Sequence, residues 1–165
     1  MKTLIVFSTS HGTTEKAAQL LQEQLKGEVE LVNLKKCSNP NLASYKSIIL
    51  GSSIYAGSVK SRVKQFLKQN QSLLMTKQLG LFLCCMYEGE KSKKQFETAY
   101  PKEIRDHAIA KGLFGGEFIV SNMNFFERQI VKKVAGVTSD VSNLKVDEIK
   151  RFAEIFNTSP VNPKL

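Results

Sequence analysis

The stretch Lys2–Gln24, KTLIVFSTSHGTTEKAAQLLQEQ, restricts the possible folds more than any other part of the chain. Leu4-Ile5-Val6-Phe7 is a short apolar run between polar residues, which reads as a parallel strand buried on both faces. Ser8–Thr14 interrupts it with hydroxyls and a glycine, after which Ala17, Ala18, Leu21 and Leu25 recur at helical spacing. Strand, hydroxyl-rich turn and helix bring side-chain O–H donors together at a helix N-terminus. There the first backbone N–H groups lack intrahelical partners and the helix dipole is positive. Such a terminus suits phosphate. The turn carries no lysine or arginine, so one phosphate is expected and not a triphosphate; a turn that only caps the helix is the alternative.

The remainder alternates in the same way. Gly27 is expected to cap the first helix. Glu28–Leu34 partly alternates and carries charge, as an edge strand would, and Lys35–Ser44 with Asn39-Pro40 reads as a loop or broken helical turn. Ser47–Gly51 is a third strand, followed by the loop Ser52–Gly57 and a helix from about Ser58. That helix turns Val59, Val63, Phe66 and Leu67 inward and Lys60, Arg62, Lys64 and Lys68 outward. Leu79–Met86 and Leu113–Val120 are the fourth and fifth strands. Between them, Tyr87–Lys111 is charged and split by Pro101 into two short helices. Asn124 caps a helix to about Val134, and a last helix from about Val146 buries Ile149, Phe152, Ala153 and Phe156.

Strands alternating with amphipathic helices give an α/β fold, an open parallel sheet covered on both faces. One domain over residues 1–157 is expected, with a flexible C-terminal tail over 158–165 that holds Pro160 and Pro163. In such sheets ligands sit at the carboxyl ends of the strands where the winding reverses. That places the site at three loops: Ser8–Thr14, Ser52–Gly57, and the loop after the fourth strand.

Several chemistries are excluded. A receiver domain of related topology needs an aspartate at the end of strand three, where Gly51 and Ser52 stand; the aspartates are Asp106, Asp140 and Asp147. Neither a P-loop nor a G-x-G-x-x-G fingerprint is present. His11 and His107 do not make a metal site, so no metal is expected. Cys37, Cys84 and Cys85 form no disulfide framework, the N-terminus shows no cleavable signal pattern, and no apolar stretch approaches the ~20 residues of a membrane span. A cytoplasmic setting follows. The net charge of +9 points to an anionic partner, substrate or surface, or serves solubility alone.

Ile5–Leu21 resembles the flavodoxin signature: an apolar pair, Phe7, Thr9, Gly12, Thr14, then Ala18 and Leu21. The resemblance implies a flavodoxin-like three-layer sandwich, a five-stranded parallel sheet in order 2-1-3-4-5, with FMN as cofactor. It implies phosphate contacts from Thr9, Ser10, His11, Gly12, Thr13 and Thr14. Ser53, Ile54, Tyr55, Ala56 and Gly57 resemble the family's flavin-edge loop, with Tyr55 to stack on the ring. Met86, Tyr87, Glu88 and Gly89 would meet its other side.

A narrower resemblance is to the menaquinone-dependent protoporphyrinogen dehydrogenase branch of flavodoxin-like proteins. It rests on Phe7-Ser8-Thr9 with Gly12 and Thr14, on Gly51 with Ser53-Ile54 and Gly57, and on the basic character of the chain. Phe125-Phe126-Glu127-Arg128 with Ile130–Val134 and Ala135-Gly136 adds to it. The sequence departs from that branch at the acidic start of Tyr87-Glu88-Gly89-Glu90 and at Gly136-Val137. The resemblance implies an FMN-dependent dehydrogenase of a porphyrinogen-like substrate with a quinone as electron acceptor, and it requires no protein catalytic residue. Nucleic acid is not expected as a partner. Arg128, Lys132 and Lys133 beside Phe125 and Phe126 could rest on an anionic membrane at its inner face; the same pattern fits an ordinary crossover helix with core phenylalanines. The competing functions are a flavodoxin-type carrier exchanging single electrons with proteins, and a regulatory module that binds flavin poorly.

Overall fold

The computed structural model describes residues 2–55, 58–59 and 61–160, and only the backbone of Tyr55 and Ser58. In chain order the elements are β1 (Lys2–Phe7), α1 (Thr13–Gln24), β2 (Glu28–Asn33), β3 (Ser47–Tyr55) and β4 (Ser58–Val59). Then come α2 (Ser61–Leu74), β5 (Gln78–Cys84), α3 (Gly89–Ala99), α4 (Lys102–His107), β6 (Ala110–Leu113) and β7 (Gly115–Phe118). A 3-10 turn (Val120–Asn122), α5 (Phe125–Ala135), β8 (Val141–Leu144) and α6 (Val146–Thr158) complete it. Five strands form one parallel sheet in the order β2-β1-β3-β5-β6, with β4 antiparallel to β3. Counting the parallel strands alone, this is the expected 2-1-3-4-5 order.

The strands sort their side chains by parity, because successive residues face opposite sides of a sheet. Leu4, Val6, Ile48, Leu50, Leu79, Leu81 and Leu83 join Val63, Phe66 and Leu67 of α2 and Phe96 of α3 in one core. Ile5, Phe7, Ile49, Phe82 and Cys84 join Ala17, Ala18 and Leu21 of α1 and Ile149, Phe152 and Phe156 of α6 in the other. β1 is buried from Thr3 to Phe7, as a central strand covered on both sides should be.

Several boundaries differ from the sequence reading, among them the fourth strand, which runs Gln78–Cys84 and stops short of Met86. The third strand runs to Tyr55, because Ser52 and Ser53 pair with Leu83 and Cys84 and Ile54–Tyr55 fold back on Ser58–Val59. The following helix starts at Ser61, and Val59 enters the core from a strand. The fifth parallel strand is Ala110–Leu113. The apolar segment after it forms a separate antiparallel hairpin, β7–β8, whose second strand had no signal of its own. The break lies at Phe114: its N–H donates to Leu83 O, its carbonyl accepts from Lys145 N, and Gly115 turns the chain at φ 72°. Gly27 takes a left-handed conformation, but Leu25 occupies the end position of α1. At the C-terminus α6 includes Thr158, and the Ser159 carbonyl accepts from Gln78 Nε2 at 3.1 Å.

Candidate functional site

β1, β3 and β5 all end at one edge of the sheet, and the winding reverses between β1 and β3. The turn after β1 is built on Thr9, whose Oγ1 accepts from the Gly12 N–H at 3.0 Å. Gly12 has φ 92° and leads into α1 with no side-chain cap. A left-handed φ favours glycine. A Cβ built there would meet nothing within 4 Å, so the space above the turn is open. Ser10 is exposed and His11 and Gly12 are half-buried, whereas Ser8, Thr9, Thr13 and Thr14 are buried.

Thr14 is the unusual member. Its side chain is inaccessible to solvent, and apart from the thiol of Cys84 its Oγ1 has no hydrogen-bond partner among the described residues. The Cys84 thiol at the end of β5 lies against it. Buried hydroxyls are normally satisfied, so one paired only with a thiol, a weak hydrogen-bonding group, at an uncapped helix N-terminus leaves hydrogen-bonding capacity for an incoming group.

The hairpin and α5 are pinned to this turn by groups the sequence did not disclose. Lys16 Nζ on α1 lies 2.8 Å from Glu117 Oε1 of β7, a carboxylate only 4% exposed. Ser142 Oγ of β8 donates to the same oxygen at 2.6 Å, and the Thr13 hydroxyl is a further partner of that carboxylate. Burial alone would raise the Glu117 pKa; Lys16, Ser142 and Thr13 together outweigh it and hold the carboxyl below the usual range. His11 Nε2 lies 3.5 Å from Glu127 Oε1 of α5. Glu127 also completes a capping box, accepting from the Asn124 N–H at 3.0 Å while Asn124 Oδ1 accepts from the Glu127 N–H. The Asn124…Glu127 spacing is visible in sequence. The contacts with Lys16 and His11 span over a hundred residues and leave no local trace.

In the second loop, Ser53 and Ile54 are half-buried, and Ile54 packs against the core on the α2 side. The expected stacking of Tyr55 concerns a side chain outside the described set, and Ala56 and Gly57 lie outside the described residues. In the third loop, Met86 is half-buried and Tyr87 exposed, with Lys91 Nζ 5.3 Å from the centre of its ring. Glu88 is tied sideways: its Oε1 lies 3.0 Å from Lys145 Nζ and 3.3 Å from Asn143 Nδ2. Lys145, by hydrogen bond, holds the Glu88 carboxyl low. Gly89 opens α3 with φ 59°.

Cys84 and Cys85 are packed inside, and burial pushes both thiols up, Cys85 to about 11. Among the described residues no group of His, Cys, Asp and Glu is arranged to hold a metal. Two clefts, of about 390 and 370 Å3, lie elsewhere. The first is bounded by Ser38, Asn39 and α2, the second by α2 and the end of α3, and neither includes a residue of the three loops.

A parallel sheet in this order, with an uncapped, hydroxyl-lined helix N-terminus at its reversal point, has the flavodoxin-like arrangement. The chain belongs to the flavodoxin domain family, whose model matches residues 4–145. FMN is the cofactor of this domain, and the turn fits its phosphate through the open space over Gly12 and the Thr14 hydroxyl, which has only the Cys84 thiol as partner. Among curated proteins, the chain is 26% identical to a protoporphyrinogen IX dehydrogenase (quinone) of Leishmania major, over 97% of this chain and 76% of that protein. It is 32% identical to the enzyme of the same name from Escherichia coli K12, over 45% of this chain and 42% of that protein. Among solved structures, oxidised flavodoxin 1 of Bacillus cereus superposes with a TM-score of 0.57 at 17% identity, covering 94% of this chain and 97% of that one.

Proposed function

We propose that the chain is an FMN-dependent dehydrogenase that oxidises protoporphyrinogen IX or a similar reduced substrate and passes the electrons to a quinone. The observation that carries this reading is the match along 97% of the chain to a protein named for that reaction. The residues support it. Thr9, Ser10, His11, Gly12, Thr13 and Thr14 would hold the phosphate, with Thr9 also fixing the turn through the Gly12 N–H. Ser53, Ile54, Tyr55, Ala56 and Gly57 would line one edge of the ring, and Met86, Tyr87, Glu88 and Gly89 the other. When bound, the flavin supplies the hydride-accepting centre. The protein positions it and selects the partner, and a net charge of +9 favours a substrate bearing carboxylates.

The test is anaerobic. FMN-loaded protein mixed with protoporphyrinogen IX should lose its flavin absorbance and regain it when a menaquinone analogue is added. Flavin that stays oxidised in the presence of the porphyrinogen overturns the dehydrogenase reading in favour of a single-electron carrier.

A further inference from the structure

The structure decides between the two expectations for the phenylalanines of α5: they are not core. Phe125 is 69% exposed, Phe126 77%, Ile130 45% and Val134 69%, while Val131 is the residue of this helix that is buried. Phe126, Ile130 and Val134 recur every four residues and therefore form one stripe along the helix. Phe125 stands beside the stripe with its ring edge-on to Phe126, their centres 5.8 Å apart. Lys132 and Lys133 are exposed in the last turn. Glu127, the acid of this helix, is engaged by its own N-cap and by His11. Arg128 is likewise occupied, donating to Met123 O at 2.9 Å and to Ser121 O at 3.4 Å, so it braces the helix against the 3-10 turn.

We propose that α5 is an interfacial helix by which this protein lies on an anionic lipid bilayer. Phe126, Ile130 and Val134 enter the boundary between headgroups and acyl chains, and Lys132 and Lys133 meet the lipid phosphates. An exposed apolar stripe bordered by lysines is the pattern of helices that lie in the membrane plane. Lysine stems can run along the apolar side while their ammonium groups reach the headgroups. Charge selects the occupant: the outer side of α5 presents cations only, and a second copy of a chain carrying +9 would be repelled where an anionic surface is attracted. Among the described residues no helix is long and apolar enough to cross a membrane, so contact through α5 is peripheral. The contact between Glu127 and His11 sets α5 beside the turn after β1. If the dehydrogenase reading holds, docking also keeps the flavin site at the membrane in which a quinone dissolves; the docking itself does not depend on that reading.

The test uses the full chain and vesicles of phosphatidylcholine, alone or mixed with phosphatidylglycerol. The protein should sediment with the mixed vesicles at low salt and be released at high salt. Lys132→Gln with Lys133→Gln should weaken this binding about 25-fold, from about 1 kcal/mol for each basic residue near the surface. Phe126→Ser with Ile130→Ser should weaken it by at least about 10-fold with an unchanged melting temperature, since both side chains are exposed in the free protein. Protein that stays in the supernatant with anionic vesicles at low salt overturns the proposal, as does equal binding by either double variant. A dimer in sedimentation equilibrium that Phe126→Ser dissociates would assign the stripe to a second copy and overturn it equally. None of these readouts involves flavin, so failure here leaves the dehydrogenase reading intact, and the reverse also holds.

Discussion

Replacing Thr14 by valine separates a residue that serves the fold from one that serves a ligand. The substitution exchanges a hydroxyl for a methyl at nearly constant volume, on a side chain inaccessible to solvent whose Oγ1 has no hydrogen-bond partner among the described residues beyond the Cys84 thiol. A buried polar group without a partner costs about 1–3 kcal/mol, and a thiol offsets only part of that, so removal of the hydroxyl should stabilise the ligand-free protein by up to about 1 kcal/mol. For a chain of this size that is about 2–4 °C in melting temperature. The same substitution removes a donor to a charged phosphate, a bond worth about 1.5–3 kcal/mol, or about 10- to 150-fold in the Kd for FMN. Thermal unfolding of apoprotein and quenching of flavin fluorescence read the two effects apart. The expected result is opposite signs: a firmer apoprotein and weaker flavin binding. An unchanged Kd with a lowered melting temperature would refute the reasoning, because the hydroxyl would then be serving the core against Cys84. Thr9→Val should instead lower the melting temperature and raise the Kd, since Thr9 Oγ1 already accepts the Gly12 N–H.

Glu117→Gln tests the tie between β7 and α1. Because the folded carboxyl lies below its ordinary value, its contribution is present above the unfolded glutamate pKa of about 4.3 and is lost as pH falls through the folded value. The variant should therefore melt lower than wild type at pH 7, with the gap closing below about pH 4; a gap independent of pH contradicts this. Gly115→Ala forces a Cβ to 1.9 Å from the backbone oxygen of Asn143 at a φ of 72°. It should cost about 2–5 kcal/mol, or about 5–20 °C, and a wild-type melting curve would refute the hairpin geometry. Alkylation of the native protein near pH 8 should mark Cys37, which is exposed, well before Cys84 or Cys85, whose thiols burial keeps protonated. Peptide mass mapping that finds Cys85 modified first would contradict the buried end of β5.

The sequence disclosed the fold wherever local pattern and global topology agree. Leu4–Phe7 and Ser47–Leu50 are apolar runs with one structural solution, and Ile149, Phe152, Ala153 and Phe156 mark a helix face that is indeed buried. It misjudged the fifth strand because Ala110–Leu113 contains a lysine and a glycine, while the more apolar Leu113–Val120 is divided between a strand end and a hairpin. β8, VSNL, has no periodicity in four residues and exists because Gly115–Phe118 pairs with it. The turn between β1 and α1 was legible because strand, hydroxyls, glycine and helix follow one another directly. Its supports were not, since Lys16–Glu117 and His11–Glu127 join residues distant in the chain, and such pairs have no periodicity to detect. The exposure of Phe125 and Phe126 was equally hidden: an amphipathic helix gives its moment in sequence but not which neighbour it faces.

The central claim is that the turn from Ser8 to Thr14 receives the phosphate of FMN. Titrating the apoprotein with FMN and, separately, with riboflavin tests it directly, because the two ligands share the ring and differ in the phosphate. FMN should bind with quenched fluorescence and riboflavin at least about 10-fold more weakly, as expected for an anion placed at a helix N-terminus. Equal affinity for the two ligands, or binding of neither, would contradict the account.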